Sequence, residues 1–260
     1  MKLSKILLII VTTYSIFVAN PLQAAPAPTF TSEQEAQIGK IAADYLVAHP
    51  EVLVEVSQKL QQQQEEHQQM ELTTKVIENQ AALLQDADTP SVGPANAKVA
   101  VIEFFDYQCI YCSRLAPGLA QVMKASPDVR FVFREWPIFA SKWEASATAA
   151  QRGLDVWKQK GADAYLKYHN SIYQTGHAEG ELTAADIEAA VKAAGVTTLK
   201  PVDYTTILEK NDELAQTLGL SGTPGLIVMP VKKGTPQNIT VFAGLASPQQ
   251  ILAAIEKAQH

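Results

Sequence analysis

Cysteine is almost absent from this 260-residue chain: there are two, Cys109 and Cys112. So close a pair excludes a framework of disulfides tying distant segments together. A closed ring of about four residues restrains the unfolded chain by only ~2 kcal/mol, against ~4.7 kcal/mol for a loop of ~100. A four-cysteine zinc site is excluded as well. The histidines at 49, 67, 169, 177 and 260 are scattered without ligand spacing, so no metal site and no resident cofactor are expected. Long apolar runs are missing beyond residue 18; a helix needs ~20 such residues to span a bilayer. Positive charge is scarce too. The net charge of −6 argues against nucleic acid or an anionic membrane surface as partner.

What is present begins at the N-terminus. Lys2 and Lys5 precede a largely apolar stretch from Ile6 to Val18, followed by Pro21 and the small pair Ala24-Ala25. This three-part pattern predicts a cleaved signal peptide over residues 1–25. Its removal takes away two lysines and no acid, moving the net charge from −6 to −8. Export places the cysteine pair where disulfides are permitted.

Residues 26–88 read as helical and are rich in Gln and Glu. Ser32 with Glu35 predicts a capping box, and Ile38, Ile41, Tyr45 and Leu46 follow at helical spacing. His49-Pro50 ends that helix, and a second is expected from about Glu51 to Gln85. Along it Leu53, Val56, Leu60, Gln63, His67, Met70, Thr74, Ile77, Ala81 and Leu84 form a heptad seam, apolar at its ends and polar mid-way. A linker over 89–97 carries Pro90, Gly93 and Pro94.

The remaining region, 98–260, alternates strand and helix signals. Val99–Phe105 reads as a buried strand interrupted only by Glu103, and 110–125 as a helix kinked at Pro117. Val129–Phe133 is a second strand. Between about 142 and 218 the composition predicts only helices, over 142–160, 162–174, 183–194 and 203–218. Leu226–Met229 and Asn238–Phe242 form a hairpin around Gly234-Thr235-Pro236, and Ser247 caps a last helix over 248–258. Strand, helix, strand, helical block, hairpin, helix is the α/β order of a thioredoxin fold with an inserted helical domain.

Chemistry concentrates where the first of these strands meets its helix. Cys109-Ile110-Tyr111-Cys112 opens that helix, whose free N–H groups and dipole favour a thiolate at Cys109. Cys112 lies one turn further in and suits a resolving thiol. Glu103, a carboxylate inside an apolar strand, is costly unless paired or protonated; burial is expected to raise its pKa and let it exchange a proton with the thiols. Gly222-Thr223-Pro224 stands at the entrance of the strand 226–229, where a proline is tolerated.

The segment Val101 to Cys112 resembles the active-site segment of the DsbA family of periplasmic dithiol oxidoreductases, and Gly222-Thr223-Pro224 resembles that family's cis-proline loop. The Gln-rich N-terminal region resembles the added oligomerisation segment of its ScsC-type members. The resemblance implies Cys109 as nucleophile, Cys112 as resolving cysteine and Glu103 as the acid beneath them. It implies a cis Thr223-Pro224 bond that helps hold an extended substrate. It further implies a periplasmic protein acting on cysteine-containing exported proteins, recharged by a membrane oxidase or reductase.

Two departures bear on its role. Ile110-Tyr111 replaces the Pro-His of the strong oxidant of the family, and Thr precedes the proline as in isomerase members. An isomerase or dual oxidase/isomerase is therefore favoured over a dedicated oxidase. An oligomeric chaperone with an incidental cysteine pair is the reading from another class. The seam predicts a homo-oligomer, a dimer rather than a trimer.

Overall fold

The computed structural model describes residues 30–198, 200 and 202–260. The predicted signal segment, residues 1–25, lies outside them. The chain divides between Lys59 and Leu60 into two compact units.

The first unit contains helix α1 (Ser32–Ala48) and the opening turns of α2 (Glu51–Glu78). The expected capping box is present one residue earlier than predicted. Thr31 is the N-cap, its hydroxyl accepting from the Gln34 N–H at 3.3 Å while the Gln34 carboxamide accepts from the Thr31 N–H at 2.9 Å. His49 closes α1, its N–H donating to the Tyr45 carbonyl, because Pro50 cannot continue the ladder. No side chain of α1 is buried. Ile38, Ile41, Tyr45, Leu53 and Val56 all face solvent.

In the second unit α2 stops at Glu78, seven residues before the predicted end. There the Asn79 side chain and its backbone N–H both donate to the Lys75 carbonyl, at 2.9 and 3.0 Å. A short helix, α3 (Gln80–Leu84), follows. The predicted seam is corrected here. Ile77 and Leu84 pack, with buried Val76 and Leu83, against the chain's own sheet and are not free for a partner. Tertiary burial pulls the apolar stripe towards the core from Leu72 onward; above that point Leu60 and Met70 stay exposed.

Five strands form one sheet in the order β1-β3-β2-β4-β5. They are β1 (Ser91–Val92), β2 (Val99–Phe105), β3 (Arg130–Glu135), β4 (Gly225–Pro230) and β5 (Thr240–Ala243). β2 and β3 run parallel; the other pairs are antiparallel. The two-residue β1 was read as linker, since two residues carry no period. It pairs Ser91 with Val132 and Val92 with Phe131.

One face of the sheet, from Val99, Val101 and Phe105 of β2, packs under α4 (Ile110–Ala125) and α9 (Pro248–Ala258). Beyond them lie α5 (Glu144–Lys160), α6 (Ala162–Gln174) and α7 (Ala184–Ala193). The other face, from Ala100, Ile102 and Phe104, is covered by α8 (Thr205–Leu218) and the end of α2. Helices α5 to α8 are the predicted insertion. Each begins and ends within three residues of its expected bounds.

Arg134 locks the second face. Almost wholly buried, it donates to Asp86 at 2.7 Å, to Asn211 Oδ1 at 3.1 Å and to the carbonyls of Ala82 and Leu83. It thereby ties the segment after α3 to β3 and α8. The open edge of β5 is capped as well. With its amide oriented to satisfy both groups, Gln69 on α2 donates to the Val241 carbonyl at 3.2 Å and accepts from the Val241 N–H at 3.0 Å.

Candidate redox site

All five predicted site residues converge at one end of the central strands. β2 runs out at Phe105, the chain turns, and Cys109 becomes the N-cap of α4. Asp106 builds that turn. Its carboxylate accepts from the Gln108 N–H at 2.8 Å, the Phe139 N–H at 2.9 Å and the Ser146 hydroxyl at 2.8 Å. Gln108 fastens the turn on its other side, its backbone carbonyl accepting from Glu179 N–H and its side-chain oxygen from Gly180 N–H. Glu179 adopts a left-handed φ of 52°. A side chain at Gly180 would meet the Trp143 ring at 2.6 Å. The loop can therefore come close enough only with glycine at this point.

Cys109 and Cys112 are unbridged thiols. Cys112 is fully enclosed, and Cys109 is only 3% exposed. The loop carrying Thr223 closes over Cys109. The cis Thr223-Pro224 bond brings the Thr223 carbonyl to 3.2 Å from the Cys109 sulfur. Beside them Tyr111 is half exposed, with the Arg114 guanidinium 5.6 Å from its ring centre.

The two thiols titrate far apart. A hydrogen bond from the Cys112 thiol, followed by the Thr223 side chain and the backbone N–H groups of Cys112 and Tyr111, lowers the Cys109 pKa to about 6 against the cost of burial. Thr223 acts in both senses. Its carbonyl accepts a hydrogen bond from the Cys109 thiol and favours the neutral form, while its hydroxyl favours the thiolate without reaching normal hydrogen-bond geometry. Burial, then the hydrogen bond it donates to Cys109 and the charge there, drives Cys112 well above the usual thiol range.

Glu103 sits in the middle of β2, 1% exposed, and neither of its carboxyl oxygens has a hydrogen-bond partner. Burial, with a smaller contribution from the Cys109 thiolate, raises its pKa to about 8.

Sequence reasoning passed over Asp106, Gln108 and Glu135. For Asp106 the signal was available: an Asp two residues before a position needing its N–H satisfied is an Asx-turn. Glu135 carries no such signal: it follows Arg134 at the end of a half-charged strand, and only the fold buries it. Among the described residues no cluster of three His, Cys, Asp or Glu side chains is arranged for a metal ion. None of the described helices is long and apolar enough to cross a membrane.

Residues 85–245 match the family described as thioredoxin. The chain belongs to that family. Ahead of this thioredoxin-family domain, residues 34–67 match the N-terminal domain of the copper resistance protein ScsC. Among solved structures, this thioredoxin-family chain is similar to BcfH of Salmonella enterica Typhimurium, 38% identical, covering 88% of this chain and 97% of that one with a TM-score of 0.72. It is also similar to Proteus mirabilis ScsC in a transitional conformation, 29% identical over 88% and 98% of the two chains, with a TM-score of 0.61. A curated relative is the disulfide bond formation protein D of Bacillus subtilis, 27% identical over 182 residues, which are 65% of this chain and 76% of that protein. A 95-residue stretch, also 27% identical, matches the Na(+)/H(+) antiporter NhaA 1 of Salinispora arenicola, of which the chain spans 14%.

Proposed function

We propose that this chain is an exported, periplasmic thiol-disulfide oxidoreductase that works chiefly as an isomerase. The observation that carries the reading is the split between its thiols: an ionisable Cys109 at a helix start and a suppressed Cys112 one turn in. In isomerisation the Cys109 thiolate attacks one sulfur of a substrate disulfide. That S–S bond breaks, a mixed disulfide forms and a substrate thiolate leaves. The freed thiolate attacks a second substrate disulfide, and a later substrate thiolate displaces Cys109. Electrons balance within the substrate. When exchange stalls, Cys112 attacks Cys109, releases the substrate reduced and leaves the enzyme oxidised; the proton Cys112 sheds passes to Glu103. Thr223 and Pro224 form the surface against which an extended substrate segment lies beside the sulfur.

A Cys109 pKa of about 6 supports the isomerase role over that of a dedicated oxidase. The strongest oxidant of this fold holds its thiolate at ~3.5, whereas reducing members sit near ~7. Alkylation of the reduced protein against pH is the test. Cys109 should react first with a midpoint near 6, and Cys112 should stay inert until far higher pH. Prior reaction at Cys112, or a Cys109 midpoint at the free-thiol value of ~8.5, would remove the basis of the reading. In cells the pair should be found largely reduced; a fully oxidised pair would mark an oxidase, recharged by a membrane oxidase in place of a reductase.

The first unit completes the proposal as a homo-oligomerisation segment. Ile38, Ile41, Tyr45, Leu53 and Val56 are exposed on otherwise polar helices, and each is worth ~1.5–3 kcal/mol if buried. Light scattering at micromolar concentration should give a multiple of the monomer mass and thereby count the chains. A truncated chain starting near Leu60, which keeps the end of α2 and α3 on the sheet, should be monomeric and lose isomerase activity. A monomeric full-length protein would refute the segment's role.

A further inference from the structure

The turn that joins β2 to α4 is shut off from water: Asp106, Tyr107, Gln108 and Cys109 are all buried. Its polar groups turn to protein partners instead, and those partners come from the helical insertion and the loop leading into it. The Asp106 carboxylate accepts from Phe139 N–H ahead of α5 and from the Ser146 hydroxyl in the first turn of α5. The Asp106 carbonyl accepts from the Tyr173 hydroxyl on α6 at 3.3 Å. Gln108 takes its two bonds from Glu179 and Gly180, between α6 and α7. Three separate pieces of chain thus meet on two residues.

Both polar ends of Asp106 bear on Cys109. Its carboxylate accepts from Gln108 N–H at 2.8 Å, and its carbonyl accepts from Cys109 N–H at 3.0 Å. Cys109 is held between them at φ −81° and ψ 117°, the extended backbone of an N-cap. A side chain at that position lies over the N–H groups two and three residues on, here those of Tyr111 and Cys112. Both favour the Cys109 thiolate. Their help depends on direction, since a hydrogen bond weakens steeply as its angle closes.

We propose that Asp106 is a positioning residue for thiol-disulfide exchange: it fastens the turn before Cys109 to the helical insertion and so holds the sulfur over the N–H groups that open α4. The insertion thereby sets the reactivity of the thiol as well as covering the sheet. This rests on the reading of Cys109 as the ionisable thiol.

Position and charge act here in opposite senses. The three groups on the Asp106 oxygens are all donors, as an ionised carboxylate requires, and they oppose the rise that burial imposes on its pKa. A negative charge this near would by itself disfavour the thiolate. Losing the charge should lower the Cys109 midpoint; losing the clamp should raise it. The titratable groups coupled to the thiols, Glu103 on β2 and Tyr173 on α6, stay in place in every variant named below.

The test is the pH midpoint of Cys109 alkylation in the reduced protein, on variants shown to be folded by circular dichroism. Asp106→Ala should raise the midpoint by about one unit and, at pH 7, shift the equilibrium with glutathione about fivefold towards the protein disulfide. Asp106→Asn keeps one acceptor oxygen and should rise by less. Ser146→Ala removes one donor while leaving the carboxylate, and should move the midpoint the same way by a smaller amount. Gly180→Ala acts from the insertion: its Cβ would meet the Trp143 ring at 2.6 Å and push the Gly180 N–H off Gln108, again raising the midpoint. A loss of stability alone does not move the midpoint of a thiol in the folded protein. A wild-type midpoint at the free-thiol value removes the reading of Cys109 and this proposal with it. A wild-type midpoint near 6 that is unchanged in Asp106→Ala refutes the role of Asp106 alone. A midpoint that falls marks the carboxylate as a charge acting on the thiol, and refutes the positioning role. Should Asp106→Ala not fold, Ser146→Ala and Gly180→Ala decide; if neither raises the midpoint, the proposal is overturned.

Discussion

Cys112→Ser should leave the protein covalently joined to its substrates. Cys109 keeps its low pKa contributions from the helix start and from Thr223, so attack on a substrate disulfide still forms the mixed species. The resolving thiol is gone. An intramolecular thiol one turn away acts at an effective concentration that external thiols do not match, an advantage of about a hundredfold or more. Adducts should persist longer by that factor and accumulate on non-reducing gels, and they should collapse to free protein on adding reductant. Cys109→Ser should give none. If Cys112→Ser forms no adducts, the order of attack assigned to the two thiols is wrong. Cys112→Ala, which has no donor, should in addition raise the Cys109 alkylation midpoint, because the Cys112 hydrogen bond is the largest contribution to Cys109 acidity.

Arg134→Leu should be the most destabilising single change outside the redox site. The guanidinium is 2% exposed and holds Asp86, Asn211 and two backbone carbonyls at once. Leucine would leave the Ala82 and Leu83 carbonyls without that donor, and Asp86 without its counter-charge. Each buried acceptor left unsatisfied costs about 1–3 kcal/mol, while Asp86, 27% exposed, is partly rehydrated; in a domain of this size the sum is a fall in Tm of roughly 10 °C. Thermal unfolding followed by circular dichroism reads it directly. A loss below about 1 kcal/mol would mean that water replaces the guanidinium and that the segment after α3 is held by other contacts.

The fold was legible because its signals are local and repeated. Glu103 interrupting an apolar run, Cys109 opening a helix and Ser247 before Pro248 each report one neighbourhood, and the element order follows. The Ser247 cap forms as expected, its hydroxyl accepting from the Gln250 N–H. What escaped was set by distant contacts. Nothing near Ile77 or Leu84 in sequence announces that α8 and the sheet will cover them. The stop at Asn79 is a local change of its backbone, φ −103° and ψ 15°, with no proline or glycine to announce it. Ser91–Val92 becomes a strand only because Val132 and Phe131 lie alongside. At the site the thiol pair was readable from spacing, whereas the closure over Cys109 depends on β4 pairing with β2, which sets the Thr223 loop beside its sulfur.

Under the proposed function, with unfinished chains as substrates, Gln69 has a further meaning. A sheet edge is an invitation to any unpaired strand, and clients in the act of folding are full of them. One edge here is only two residues long, and the other has its Val241 amide and carbonyl already taken by a side chain. Each copy is therefore a poor template for its own clients. A stray segment has little to gain by adding to the sheet, and the protein is shielded against being drawn into the aggregates among which it must work.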